Sequence, residues 1–262
     1  MSSRTIGFIG IGRLGLPLAK RVIDAGFAVI TTKRGRSDEL VRLGGCIPGN
    51  GSPRAVAENS HAVVTCMPSV SAFEDVLYGA EGILSAVSVP PLIEVSTLPL
   101  EVKLAARRRL LFARAGMIDA PISGSPAMVE HNLAMIYASG DRDLYLEFES
   151  VLHAMSPDTT YVGSSVNGSK YKVVAQTLST NNATAAVDAV AFAQRAGLDL
   201  AEVAELIADS PGAASEEFRL RAQLIAASRL EGWPGIGSPA DMLTVAAEHY
   251  HRSSRTAAAV PR

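Results

Sequence analysis

Three glycines near the start of the chain carry its clearest chemical signal. Gly10-Ile11-Gly12-Arg13-Leu14-Gly15 follows the apolar run Thr5–Ile9 and opens the amphipathic segment Leu14–Ala25. In a strand–turn–helix passage of this kind each glycine has a mechanical task. Gly10 makes the tight turn, Gly12 lets a pyrophosphate approach the backbone, and Gly15 lets helix and strand pack close together. The free N–H groups of the helix's first turn then face the anion along the positive end of the helix dipole. A glycine-rich turn that binds nothing looks the same in isolation. Here strand, helix and second strand all stand where a dinucleotide site needs them.

The second strand candidate, Ala28–Thr32, runs into Thr31-Thr32-Lys33-Arg34-Gly35-Arg36. A site selective for NAD places a carboxylate near this point to accept hydrogen bonds from the ribose 2′-OH. Three cations stand here instead and suit a 2′-phosphate, which arginine can hold in bidentate fashion. The expectation is a site that prefers NADP(H), with NAD(H) possible, and with Arg34 as chief selector beside Lys33. The plainer alternative is a solvated basic turn.

These residues sit in a regular series. Apolar runs at Thr5–Ile9, Ala28–Thr32, Ala62–Met67, Leu92–Ser96, Met117–Ile122, Leu133–Ser139 and Thr159–Val162 read as strands. Amphipathic stretches such as Leu14–Ala25, Glu101–Ala115 and Arg142–Met155 lie between several of them. That alternation predicts an α/β fold, a Rossmann-type doubly wound sheet over residues 1–163. GSSVNG, Gly163 to Gly168, reads as a turn. Ser169–Ala196 has neither Pro nor Gly and predicts one long helix at the head of an all-α domain over residues 164–262. Helical patterns at Leu200–Asp209, Ala213–Arg229 and Ala240–Ser253 continue it.

The totals narrow the function classes. At 262 residues the chain can bury a proper core, and 48% hydrophobic with 19% charged residues is ordinary for a globular protein. A net charge of −2 leaves no basic footprint for nucleic acid. No apolar stretch reaches membrane-spanning length, and Gly10, Gly12 and Arg13 interrupt the N-terminus before a signal-peptide core forms. Cys46 and Cys66 make no disulfide framework, and Cys66 reads as a buried thiol in a strand. His131 and His153 lack partners at ligand spacing, so no metal is assigned. A soluble cytoplasmic protein is expected.

With these residues in place, the chain resembles the β-hydroxyacid dehydrogenase family from about Ile6 to Asp199. GFIGIGRLGLPLAKRV is similar to its opening fingerprint, and TKR to its cofactor-selecting segment, with Arg34 on the family's arginine. VVTCMPSVSAFEDVLYGAEGIL resembles the strand and loop on the nicotinamide side, which implies cofactor contacts from Met67 and Pro68. EVSTLP resembles the D-x-S-T segment, with Ser96 and Thr97 in place. DAPISGS is close to the substrate-binding DAPVSGG, and LAMIYASGD is its expected hairpin-like continuation. GSKYKVVAQ resembles the head of the interdomain helix that carries the catalytic lysine.

The resemblance implies a role for each position. Lys172 falls on the catalytic lysine. Ser123 and Gly124 fall on the loop holding the substrate carboxylate, Ser125 replaces a usual glycine, and Gln176 stands where an asparagine is usual. Ser96 joins them as a substrate contact and Thr97 as a cofactor contact. Lys170 competes with Lys172, but residues two apart on a helix do not share a face. Burial near a domain junction would lower the pKa of such a lysine. Asp119 reads as structural. The implied reaction is hydride transfer between NADP(H) and a small carboxylate-bearing hydroxy acid or semialdehyde, in a homodimer.

Some positions depart from the family pattern. Met128 and Asn132 replace glycines after the substrate loop, Ala175 replaces one of two paired asparagines, and the C-terminal domain reads as shortened. Two other readings stay open. One is an imine reductase on the same scaffold, against which the lysine counts; the other is a non-catalytic NADP-binding interaction protein.

Overall fold

The computed structural model describes residues 4–208. Its first strand, β1 (Thr5–Ile9), sends Ile6 and Phe8 into one hydrophobic core and Ile9 into another. The same division recurs in β3 (Ala62–Thr65) with Val64 and Val63, and in β4 (Leu92–Glu94) with Ile93 and Leu92. Strands apolar on both faces need cover on both. Helices α1 (Gly15–Asp24) and α7 (Arg142–Met155) supply Leu18, Val22, Phe148 and Leu152 to the first core, and α2 (Ser37–Arg42) adds Leu40. Helices α3 (Pro53–Glu58), α4 (Val70–Tyr78) and α5 (Leu100–Phe112) supply Val56, Phe73, Leu77 and Leu110 to the second.

β2 (Ala28–Thr31), β1, β3, β4 and β5 (Met117–Asp119) run parallel in that spatial order. The chain steps outward from β1 to β2, then crosses to β3 on the far side of β1. That reversal opens a crevice beyond the C-terminal ends of β1 and β3. β7 (Met135–Gly140) runs antiparallel to β5, and β8 (Asp158–Tyr161) runs parallel to β7. The α/β, doubly wound architecture expected from the alternating runs is present.

Three local differences from the sequence expectation have physical causes. The run Met117–Ile122 divides into β5 and β6 (Ile122–Ser123), yet both pair with β7 in one register: Asp119 opposite Ser139, Ile122 opposite Ile136. The break falls at Ala120 and Pro121, where proline has no N–H to give a ladder. β3 and β4 end two residues early, at Thr65 and Glu94, because the backbone beyond them turns to side-chain partners. Met67 N donates to Ser96 Oγ at 2.7 Å and Ser96 N donates to Glu94 Oε1 at 2.9 Å. The segment after β3, expected as a loop, is the helix α4, capped by Ser69 Oγ accepting from Ala72 N.

α8 (Asn167–Arg195) begins two residues ahead of the expected Ser169 start. Two compact units divide between Val173 and Val174, inside this helix. The described part of the second unit is the rest of α8 and α9 (Leu200–Ala208), around a small core of Ala186, Val190, Ala193, Leu200 and Val203. The expected helices Ala213–Arg229 and Ala240–Ser253 lie outside the described residues. Among the described residues no helix is long and apolar enough to cross a membrane.

Candidate active site

A cavity of about 640 Å³ opens where the strand order reverses. The turn after β1 lines it with Gly10, Gly12, Arg13, Leu14 and Gly15; the turn after β3 adds Cys66, Met67 and Pro68; the turn after β4 adds Ser96 and Thr97. The glycines divide the labour as their spacing suggests. Gly10 has φ +102°, and a Cβ there would lie 2.1 Å from the Cys66 carbonyl oxygen. A Cβ on Gly15 would lie 2.0 Å from the Gly10 carbonyl oxygen, so α1 can start this near β1 only without one. A Cβ on Gly12 would meet nothing within 4 Å: this backbone faces open space and can be approached. No side chain caps α1 and its first turn holds no acid, so its leading N–H groups suit an anion. This is a cradle of the shape and charge that a dinucleotide pyrophosphate needs.

The cations after β2 separate. Arg34 lines the cavity; Lys33 is exposed and is not among the lining residues. Arg36 is engaged by Glu39 through two contacts, Nε to Oε1 at 2.7 Å and Nη2 to Oε2 at 2.6 Å. Arg34 Nη1 stands 3.4 Å from Asp75 Oδ2 of α4, with both side chains largely in solvent. An exposed pair of this length contributes little stability, so Arg34 is free to exchange that partner for a phosphate. The basic turn is therefore not free of carboxylates: the acids come from α2 and α4.

The other expected residues lie off this cavity. Ser123 is the last residue of β6 and is half-buried. A Cβ on Gly124 would come within 2.8 Å of Ala134 Cβ, so glycine is required by contact. Ser125 caps α6 (Pro126–Glu130), its Oγ accepting from Met128 N at 3.3 Å. That helix, also unexpected, holds Met128. Lys172 stands on the first turns of α8, half-buried, and burial pulls its ammonium below the ordinary lysine value. Lys170 is exposed and donates to Asn167 Oδ1. Gln176 is exposed, on the part of α8 in the second unit.

Behind the cavity lies an arrangement that sequence reasoning missed. Lys103 of α5 is fully buried and its ammonium meets three acceptors: Ser96 O at 2.7 Å, Asp119 Oδ1 at 2.8 Å and Glu94 Oε2 at 2.7 Å. Burial works against its charge, but Glu94 and Asp119 outweigh that and hold the ammonium above its ordinary value. Burial lifts the Glu94 carboxyl above its usual range, with Lys103 acting in opposition. Asp119 also accepts from Ser169 N at 2.8 Å and Ser169 Oγ at 2.7 Å, at the head of α8. Gly168 N donates to Ser139 Oγ at 2.8 Å, and a Cβ on Gly168 would lie 2.1 Å from the Tyr137 carbonyl oxygen. One signal was available. Lys103, Ala106 and Leu110 form the buried stripe of α5, at i, i+3 and i+7, so a lysine falls where the helix turns inward. Asp119, read from the sequence as structural, is buried and fully engaged here.

Among the described residues no three His, Cys, Asp or Glu side chains gather as a metal would require. The family model for the NAD-binding domain of 6-phosphogluconate dehydrogenase matches residues 5–163. A mitochondrial 3-hydroxyisobutyrate dehydrogenase-like protein of Arabidopsis thaliana is 30% identical over 231 residues, 86% of this chain and 70% of that protein. Among solved structures, a 3-hydroxyisobutyrate dehydrogenase from Salmonella typhimurium matches with a TM-score of 0.73 at 21% identity, over 99% of this chain and 90% of that one. An imine reductase from a Pseudomonas species matches with a TM-score of 0.66 at 20% identity, over 98% and 95% of the two chains.

Proposed function

Because the chain belongs to the β-hydroxyacid dehydrogenase family, NAD-binding oxidoreductases of the 3-hydroxyisobutyrate dehydrogenase type, we propose that it moves a hydride between NADP(H) and a small β-hydroxy acid or its semialdehyde partner. The observation that carries this reading is the glycine cradle, which opens into one cavity with Arg34, Met67, Pro68, Ser96 and Thr97. In the proposed complex the backbone from Gly10 to Gly15 holds the pyrophosphate. Arg34, with Lys33 at longer range, takes the 2′-phosphate; Met67, Pro68 and Thr97 meet the nicotinamide end. Ser96, Ser123, Gly124 and Ser125 orient a carboxylate-bearing substrate. The bound nicotinamide supplies or accepts the hydride at the carbonyl carbon.

Lys172 handles the proton. As charge builds on the carbonyl oxygen in reduction, its ammonium stabilises that charge and gives up a proton there; in oxidation its amine takes the proton back. The apolar exposed residues of α8, Leu178 and Phe192 among them, fit a second copy of the chain, and a homodimer is part of the proposal.

The deciding assay follows NADPH and NADH consumption with glyoxylate, succinic semialdehyde, tartronate semialdehyde and methylmalonate semialdehyde. NADPH-linked reduction of at least one is expected. Binding of NADPH with no carbonyl turned over would favour an interaction protein, and turnover of a cyclic imine alone would favour an imine reductase.

A further inference from the structure

We propose that Lys103 is a positioning residue that fixes, through one buried ionic network, both the Ser96 turn and the helix head bearing Lys172. The inference rests on the roles proposed above for Ser96 and Lys172. It starts from a physical oddity. One ammonium and two carboxylates are enclosed where apolar side chains of similar volume would usually serve stability as well or better. A group that stability does not demand is best explained by the geometry it enforces.

That geometry reaches two places. On one side, the Lys103 ammonium donates to Ser96 O and contacts Glu94 Oε2, while Glu94 Oε1 accepts from Ser96 N. The backbone of Ser96 is thus held at both its carbonyl and its amide. Its hydroxyl oxygen, so placed, accepts from Met67 N and joins the turn after β3 to the turn after β4. On the other side, Lys103 holds Asp119 Oδ1, and Asp119 accepts from the amide and hydroxyl of Ser169, three residues before Lys172. The ammonium donates to one acceptor on each side, Ser96 O and Asp119 Oδ1, and pairs by charge with Glu94 Oε2, so neither side can move without breaking a contact in the enclosed centre. Ser139 reinforces the second side, accepting from Gly168 N and donating to Ser165 O at 2.9 Å. Lys103 itself touches neither cavity nor solvent and acts only through these neighbours.

The test is Lys103→Met, which keeps the stem and removes the three donors. Two readouts are needed, one independent of turnover. In the ligand-free protein, amide exchange at Ser96 and Ser169 should accelerate together by at least about tenfold, while Gly7 and Phe8 in β1 keep their wild-type rates. In the assay, kcat should fall at least about tenfold and by more than the NADPH dissociation constant rises, a split that general loosening of the fold would not give. Exchange that rises equally in β1, or kcat within twofold of wild type, would overturn the proposal. If Lys103→Met does not fold, Ser169→Ala cuts the helix side alone: exchange at Ser169 and kcat should change while exchange at Ser96 does not, and unchanged kcat would overturn the tie. A wild-type protein inactive on every carbonyl sinks the functional reading only; the exchange readout still decides the network.

Discussion

Burial without a counter-charge gives Lys172 a titration that activity should report. Its ammonium is destabilised by desolvation, so its pKa falls below the ordinary 10.5. Reduction needs the ammonium form, so kcat for carbonyl reduction should decline as pH rises through that lowered value. Oxidation needs the amine, so its rate should climb over the same interval. Opposite limbs sharing one midpoint are the signature; limbs unaltered in Lys172→Arg would remove the assignment. Lys172→Met should lower kcat by about 100-fold or more, the usual span for a lost general acid, with NADPH affinity little changed. Arg34→Ala should raise the NADPH Michaelis constant about tenfold, as loss of a charge-assisted hydrogen bond would, and spare NADH. The place of Arg34 beside the cavity was readable because it stands at a fixed position after the second strand. Lys103 was not, because its meaning depends on Glu94 and Asp119, which only the sheet brings to it.

At the level of elements, two substitutions in the first turn separate folding from binding. Gly15→Ala drives a methyl into the Gly10 carbonyl and should cost about 1–3 kcal/mol or more of stability, visible as a lowered melting temperature. Gly12→Ala meets empty space, so melting should change little while NADPH binding weakens at least about tenfold, roughly 1.4 kcal/mol. Equal melting of the two variants would contradict the cradle's geometry. The strands were legible because each is a short apolar run, and α7 was read to its ends because Asp141 caps it and its apolar period is strong. The ends of β3 and β4 were not legible. There the ladder gives way to bonds from Ser96 and Glu94 that no local pattern announces. The short helices α4 and α6 escaped for a similar reason: each is set by a serine cap after a strand, within a stretch that also reads as loop.

For the molecule as a whole, the proposed dimer has a direct check. Sedimentation of the full chain should give twice the monomer mass, and Leu178→Glu with Phe192→Glu should halve it, since both side chains are more than half exposed in the single chain. An unchanged mass would place the subunit contact elsewhere. The division between Val173 and Val174 has a different consequence. Every residue that lines the nucleotide cavity precedes it, and so does Lys172 with the Asp119 and Ser169 bonds that seat its helix. The nucleotide-holding part is in that sense portable. Grafted ahead of a foreign helical partner, residues 1–173 would be expected to carry their coenzyme with them, and with it Lys172 and the serines proposed to meet the substrate.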